Sequence, residues 1–242
     1  MRAYALTNVG VRRNTNQDYV YFSEKNVGNL PNILIVADGM GGHKAGEVAS
    51  EQAVNAVLQS INENENTDKI SLIERAISVA NEKVLCMATS DEKFKGMGTT
   101  LVVATLEDGI LYVANVGDSR LYLIDDSGIR QITRDHSLVQ EMVSIGELDK
   151  ESAKTHSRKN VITRAIGVEK NIMADFFEVE VKEKDIILLC SDGLTNMVED
   201  NEIKSIIDRY AGRSLEDAVH KLIDTANENG GLDNIAVVLA EV

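Results

Sequence analysis

At 242 residues with 43% apolar content, the chain can bury a sizeable core and falls within the size of one large domain. A formal net charge of −14 and a pI near 4.7 exclude nucleic acid and anionic membrane surfaces as natural partners, while leaving room for a clustered acidic site that takes cations. Met1 to Gly10 lacks the apolar run of a signal peptide, and no stretch approaches the about 18 apolar residues of a membrane span, so a cytoplasmic location is expected. Pro31 is the single proline and no long Pro/Ser/Gly-rich or one-sign charge run offers a linker, so residues 1–242 are expected to form one domain.

In chain order, residues 34–37 form the first short apolar run bounded by Asp and Gly, the pattern of a buried strand. Val54, Val57, Leu58 and Ile61, then Ile73, Ala76, Ile77, Ala80 and Val84, repeat with helical period and predict two consecutive amphipathic helices. Residues 101–106, 111–116 and 121–124 predict three more strands, with hairpin signals at Asp108-Gly109 and Asp126-Ser127-Gly128. Phe177, Val179 and Val181 alternate with Glu178, Glu180 and Lys182, the period of a half-exposed strand. Residues 182–185 look like a hairpin turn into the strand at 186–189. Leu215, Ala218, Val219, Leu222 and Ala226 predict another helix before a last strand at 235–239. Helices come in blocks between runs of strands, which argues for a layered α+β sandwich with largely antiparallel sheets. Cys86 and Cys190 read as small buried hydrophobes in a reducing compartment. A cysteine-based phosphatase would need an arginine six residues after its nucleophile, and Asn196 stands there relative to Cys190.

The informative feature is where the aspartates fall. Apolar strands end in Asp38-Gly39, Asp118-Ser119 and Asp192-Gly193, and Asp233-Asn234 opens the last strand. Carboxylates at the lip of a core are costly unless paired, and several together repel one another; divalent cations remove both penalties. Oxygen ligands without His or Cys suit hard ions such as Mg²⁺, Mn²⁺ or Ca²⁺. No window has EF-hand spacing. Gly41 and Gly46 have P-loop spacing, but Glu47 and Val48 stand where a nucleotide loop needs Lys and Ser/Thr. A GxSxG elbow is absent as well.

Residues 13–18 (Arg-Asn-Thr-Asn-Gln-Asp), 38–43 (Asp-Gly-Met-Gly-Gly-His), Gly98-Thr99-Thr100, Gly117-Asp118-Ser119-Arg120, Ser191-Asp192-Gly193 and Asp233-Asn234 together resemble, in order, the motifs of the metal-dependent protein phosphatases, the protein phosphatase 2C family. Asp135-His136-Ser137 through His156 to residues 162–167 resembles the flap-containing segment, about 135–164, of its compact bacterial members. The resemblance implies an α+β fold with a central sandwich of two antiparallel β-sheets flanked by α-helices on both sides (α-β-β-α layers), with a flap segment. It implies a protein-serine/threonine phosphatase acting by direct attack of water or hydroxide bridging two Mn²⁺ or Mg²⁺ ions, with a third, weaker ion nearby. Asp38 would bridge the two core ions, with Asp192 and Asp233 on the first, the Gly39 carbonyl on the second and Asp18 acting through water. Asp118 would hold the third ion with Asp192, Arg13 would clamp the substrate phosphate, and His43 would protonate the departing serine or threonine oxygen. Ala236 and Ser157 depart from residues frequent in the family, neither at an expected ligand. The implied partners are phosphorylated proteins in signalling, including a serine/threonine kinase and its targets, met by a monomer. The alternative is a catalytically silent relative that binds phosphoproteins; a mere cation-binding protein would have no use for Arg13 or His43 at those spacings.

Overall fold

The computed structural model describes residues 1–242 apart from His43, with the backbone alone described at Lys150. Its apolar runs pair as antiparallel strands. In chain order the elements are β1 (Arg2–Asn8), β2 (Asp18–Ser23), β3 (Ile33–Met40), α1 (Ala45–Glu63), α2 (Lys69–Ser90), β4 (Gly98–Thr99), β5 (Leu101–Glu107) and β6 (Ile110–Val116). There follow β7 (Arg120–Asp125), β8 (Gly128–Gln131), α3 (Leu138–Ser144), α4 (Lys150–Thr155), β9 (Asp175–Glu180), β10 (Ile186–Cys190), α5 (Asp192–Thr195), α6 (Asp200–Tyr210), α7 (Leu215–Glu228) and β11 (Ile235–Glu241).

One sheet runs β1-β11-β10-β7-β8 and the other β2-β3-β5-β6-β9, with β4 paired to β3. Leu34, Val36, Val102, Leu189 and Val238 fill the space between the sheets. The intervening residues of β3, Ile33 and Ile35, point the other way and pack under α1 and α2 with Val54, Val57, Ile73 and Ile77. Leu188 and Leu239 likewise pack under α6 and α7 with Ile203, Ile207 and Leu222. Central strands are therefore covered on both faces, which is why they read as unbroken apolar runs. Edge strand β9 keeps Glu178 and Glu180 exposed and so alternates. The layers are α-β-β-α, as the motifs imply.

Two local expectations are corrected. Residues 182–185 are not a hairpin, because β9 and β10 lie in different sheets; the chain crosses the sandwich edge there. Val181 is drawn into the inter-sheet core, Lys182 N donates to Asp185 Oδ2 at 2.8 Å, and Lys184 takes a left-handed φ of 74° to complete the turn. Cys190 is buried as expected but Cys86 is exposed, since it sits two residues past Val84 and off the apolar stripe of α2.

The strand ends that carry the aspartates are braced by side chains. Asn234, before β11, accepts from Gln17 N at 2.9 Å and donates to the carbonyls of Val9 and Thr15, both at 2.9 Å. One amide thus holds the whole connection between β1 and β2 against the far end of the chain. Asn234→Ala removes three hydrogen bonds at a buried position and is expected to destabilise the fold by about 2–4 kcal/mol. Urea unfolding checks this, with the midpoint falling and the m-value unchanged.

Candidate metal centre

The five aspartates come from different elements and meet at one end of the sandwich. Asp18 opens β2 and faces Asp38 in register on β3; Asp118 lies in the turn between β6 and β7. Asp192 opens α5 directly after β10, and Asp233 precedes β11. Each is held by its scaffold. The Asp38 N–H donates to Thr100 Oγ1 at 2.9 Å, and its carbonyl accepts from Thr100 N and Thr99 Oγ1, both at 2.9 Å. Thr100 Oγ1 in turn lies 2.7 Å from Ser119 Oγ, linking the Asp38 strand to the Asp118 turn. Ser191 Oγ donates to Asp18 Oδ2 at 2.6 Å and accepts from Ala236 N at 2.9 Å, and Asn196 Nδ2 donates to Asp192 Oδ2 at 2.9 Å. The Arg13 guanidinium reaches Asp233 Oδ2 at 2.8 Å, so it stands at the rim of the cluster, half exposed. Gly39 must be glycine: a Cβ there would stand 2.1 Å from the Gly46 carbonyl oxygen and 2.6 Å from that of Gln17.

Burial and mutual repulsion set the charge state of the cluster. Loss of hydration pushes Asp18 up to about 7, helped by the charges of Asp192 and Asp233 and opposed by the Ser191 hydroxyl. Burial, then the charges of Asp18, Asp192, Asp118 and Asp233, hold Asp38 well above the usual carboxylate range. Asp118 rises to about 7 and Asp192 to about 6, burial leading in both. Asp38, Asp118, Asp192 and Asp233 keep partial access to solvent, whereas Asp18 is buried. Asp18 Oδ1 is also left without a hydrogen-bond partner, an expensive state that a bound cation or its hydration shell would relieve. Among the described residues no group of three or more Asp, Glu, His or Cys side chains stands close enough as placed to hold a metal ion, although the charges of Asp18, Asp192, Asp118 and Asp233 all act on Asp38. Clustered hard oxygens around an orphaned carboxylate oxygen fit Mg²⁺ or Mn²⁺.

The remaining expected residues divide. His43 lies outside the described residues. Arg120 stands beside Asp118 and Asp192, whose charge it favours, and forms a two-pronged ion pair with Asp135 at 3.0 and 2.7 Å, tying β7 to the start of the flap. His136 is buried, accepts from Gly117 N on Nδ1 at 3.1 Å and sits 3.3 Å from Asp175 through Nε2; burial lowers its pKa. It is a structural tie behind the Asp118 turn. Thr100, Ser119, Ser191, Asn196 and Asn234 were not assigned roles from sequence. For all but Asn196, adjacency to Gly, Asp or each other inside the motifs is the available signal.

A model of the protein phosphatase 2C family matches residues 11–239. The chain belongs to the protein phosphatase 2C family. It is 44% identical to serine/threonine phosphatase stp of Listeria welshimeri, covering 100% of this chain and 96% of that protein. Its fold matches the solved serine/threonine phosphatase of S. agalactiae with a TM-score of 0.92 and 36% identity, over 100% of this chain and 99% of the other. It also matches the catalytic domain of the serine/threonine protein phosphatase PstP, solved in complex with two manganese ions, with a TM-score of 0.86 and 32% identity, over 99% and 97% of the two chains. The α-β-β-α sandwich found here is thus the protein phosphatase 2C fold.

The raised carboxylates fix the sign of a pH effect. Between 3.8 and about 7 the native cluster of the chelated protein retains protons that the unfolded chain has released, so this cluster's contribution to stability falls as pH rises. Thermal midpoints measured in chelator should drop across that interval, Asp118→Asn should flatten the drop, and added Mn²⁺ should recover most stability at its upper end. A wild-type curve no steeper than that of Asp118→Asn would contradict this.

Proposed function

We propose that the chain is a single-domain protein-serine/threonine phosphatase, residues 1–242, that hydrolyses phosphoserine and phosphothreonine monoesters with the aid of Mn²⁺ or Mg²⁺ held by its aspartates. Membership of the protein phosphatase 2C family supports this, and one observation carries it at the level of residues: four carboxylates gathered about Asp38 at one end of the sandwich, one of them, Asp18, with a buried oxygen that has no partner. Asp38, Asp192, Asp233 and the Gly39 carbonyl are the proposed ligands of two core ions, Asp118 and Asp192 of a third, with Asp18 acting at one remove. Bound there, such ions lower the pKa of water and neutralise charge on a phosphoryl group.

The protein's own groups do the rest. Ser191 fixes one oxygen of Asp18 and leaves the other, buried, without a partner. Arg13, anchored beside Asp233 on a half-exposed side chain, can pair its planar fork with two phosphate oxygens and so orient phosphorus for attack. Asn196 holds Asp192 in place, and the threonine pair holds the Asp38 backbone. His43 is the proposed donor of the proton that a serine or threonine alkoxide needs on leaving. No helix among the described residues is long and apolar enough to cross a membrane, and a cytoplasmic monomer acting on phosphoproteins, a serine/threonine kinase and its targets among them, is the proposed setting.

Hydrolysis of a small aryl phosphate and a phosphothreonine peptide, compared with Mn²⁺, with Mg²⁺ and with excess chelator, tests the reading. Turnover should require metal, and Asp192→Ala should lower kcat at least about a hundredfold with the protein still folded. No turnover by folded, metal-supplemented wild type would overturn the proposal. Arg13→Ala should raise KM for both substrates about tenfold, the cost of one charge-assisted contact, with a smaller effect on kcat.

A further inference from the structure

A concavity of about 510 Å³ is lined in part by Met40, Ile162, Arg164, Val168, Ile172 and Met173. Val168 and Met173 are 52% and 70% exposed, large apolar side chains left open to water. Its walls are lashed to the body of the protein. Ile166 and Thr99 exchange backbone hydrogen bonds of 2.8 and 3.1 Å. Buried Asn81 of α2 donates to the carbonyls of Glu169 and Lys170 at 2.8 and 3.3 Å and accepts from Gly167 N at 2.8 Å. Arg164 is paired with Asp175 at 2.8 Å, which holds its guanidinium against the wall of the groove.

Strand geometry sets its distance from the reacting centre. Asp38 and Met40 are two apart on β3, so their side chains leave the same face, about 7 Å apart along the strand. Gly98, opposite Met40 on β4, has no side chain to block the approach; a Cβ there would meet Met40 Cε at 2.6 Å and Val168 Cγ2 at 3.0 Å. The two apolar groups therefore close over the glycine and begin the groove one strand period from Asp38. An extended peptide has that same period: the residue two positions from a phosphorylated one projects on the same face, again about 7 Å away.

We propose that this groove is a specificity subsite that takes an aliphatic side chain two residues from the phosphothreonine or phosphoserine of a substrate peptide. The proposal rests on the phosphatase reading above. Val168 and Met173 form its outer rim and touch neither the phosphate nor the aspartates, so they select among peptides without taking part in bond breaking.

The test uses phosphothreonine peptides that differ only in Leu or Ser at the position two before, or two after, the phosphothreonine. A small aryl phosphate serves as control for the chemistry. Wild type should favour the Leu peptide about tenfold in kcat/KM at one of the two positions. Val168→Glu and Met173→Gln, both at exposed sites, should each reduce that preference to twofold or less while aryl phosphate hydrolysis stays within twofold of wild type. A wild-type ratio near one at both positions, or a preference that survives both substitutions, would overturn the subsite. A change in sedimentation coefficient in Val168→Glu with the peptide preference intact would also overturn it, marking the face as a contact between two copies. Absence of aryl phosphate hydrolysis in wild type would remove the phosphatase reading itself, a failure separate from the loss of peptide preference.

Discussion

The structure depends on a repulsion that it does not relieve by itself. Five carboxylates are brought to one end of the sandwich, and the loss of hydration there holds Asp18, Asp38, Asp118 and Asp192 above their ordinary ionisation range. A fold assembled only for stability would not gather them. What keeps the cluster from splaying apart is a set of neutral hydrogen-bonding side chains, Thr100, Ser119, Ser191 and Asn196, placed behind the acids rather than among them. These contribute geometry without contributing countercharge, so the negative potential stays available for cations.

Such bracing works because the acids sit where rigid elements end. Strand ends are fixed by the apolar packing along their whole length, and the loop that follows inherits that precision. Asp38 illustrates it: its side chain lies among the other acids, while its backbone is held by Thr99 and Thr100, at the end of β4 and just beyond it. The same β3–β4 pair then carries Met40 to the edge of the apolar groove. Chemistry and the Met40 wall of the groove are thereby referred to one ribbon.

Much of this was legible in the sequence, for identifiable reasons. Strands buried on both faces leave uninterrupted apolar runs, and the aspartates that end them stand out against those runs. The β1 and β2 strands were not legible because their residues are half-buried and mixed in polarity, and α6 was missed because its apolar stripe, Ile203, Ile206 and Ile207, is short and set in charged residues. The crossover at residues 182–185 looks like a hairpin locally, since a tight turn has the same composition whether the next strand joins the same sheet or the other. Among the site residues, the ligand candidates were visible as carboxylates, whereas their supports were not. A serine or threonine behind an aspartate has no distinctive spacing until the fold is known. The apolar groove was likewise invisible, because it is assembled from Met40 and a segment more than a hundred residues later.

The pairing of β1 with β11 carries a consequence for the life of the chain before it is a finished protein. Asp18 and Asp38 lie near the start of the sequence, whereas Asp233 and the Asn234 bracket that seats the Arg13 loop come within ten residues of position 242. A nascent chain emerging from the ribosome therefore holds its early acids without the partners that organise them until residues 233–241 have been made. Contacts of such long sequence separation also form late and slowly. Phosphate-cleaving capacity is in this way tied to the making of β11: a chain interrupted before that strand has most of the acids and not the pairing that arranges them.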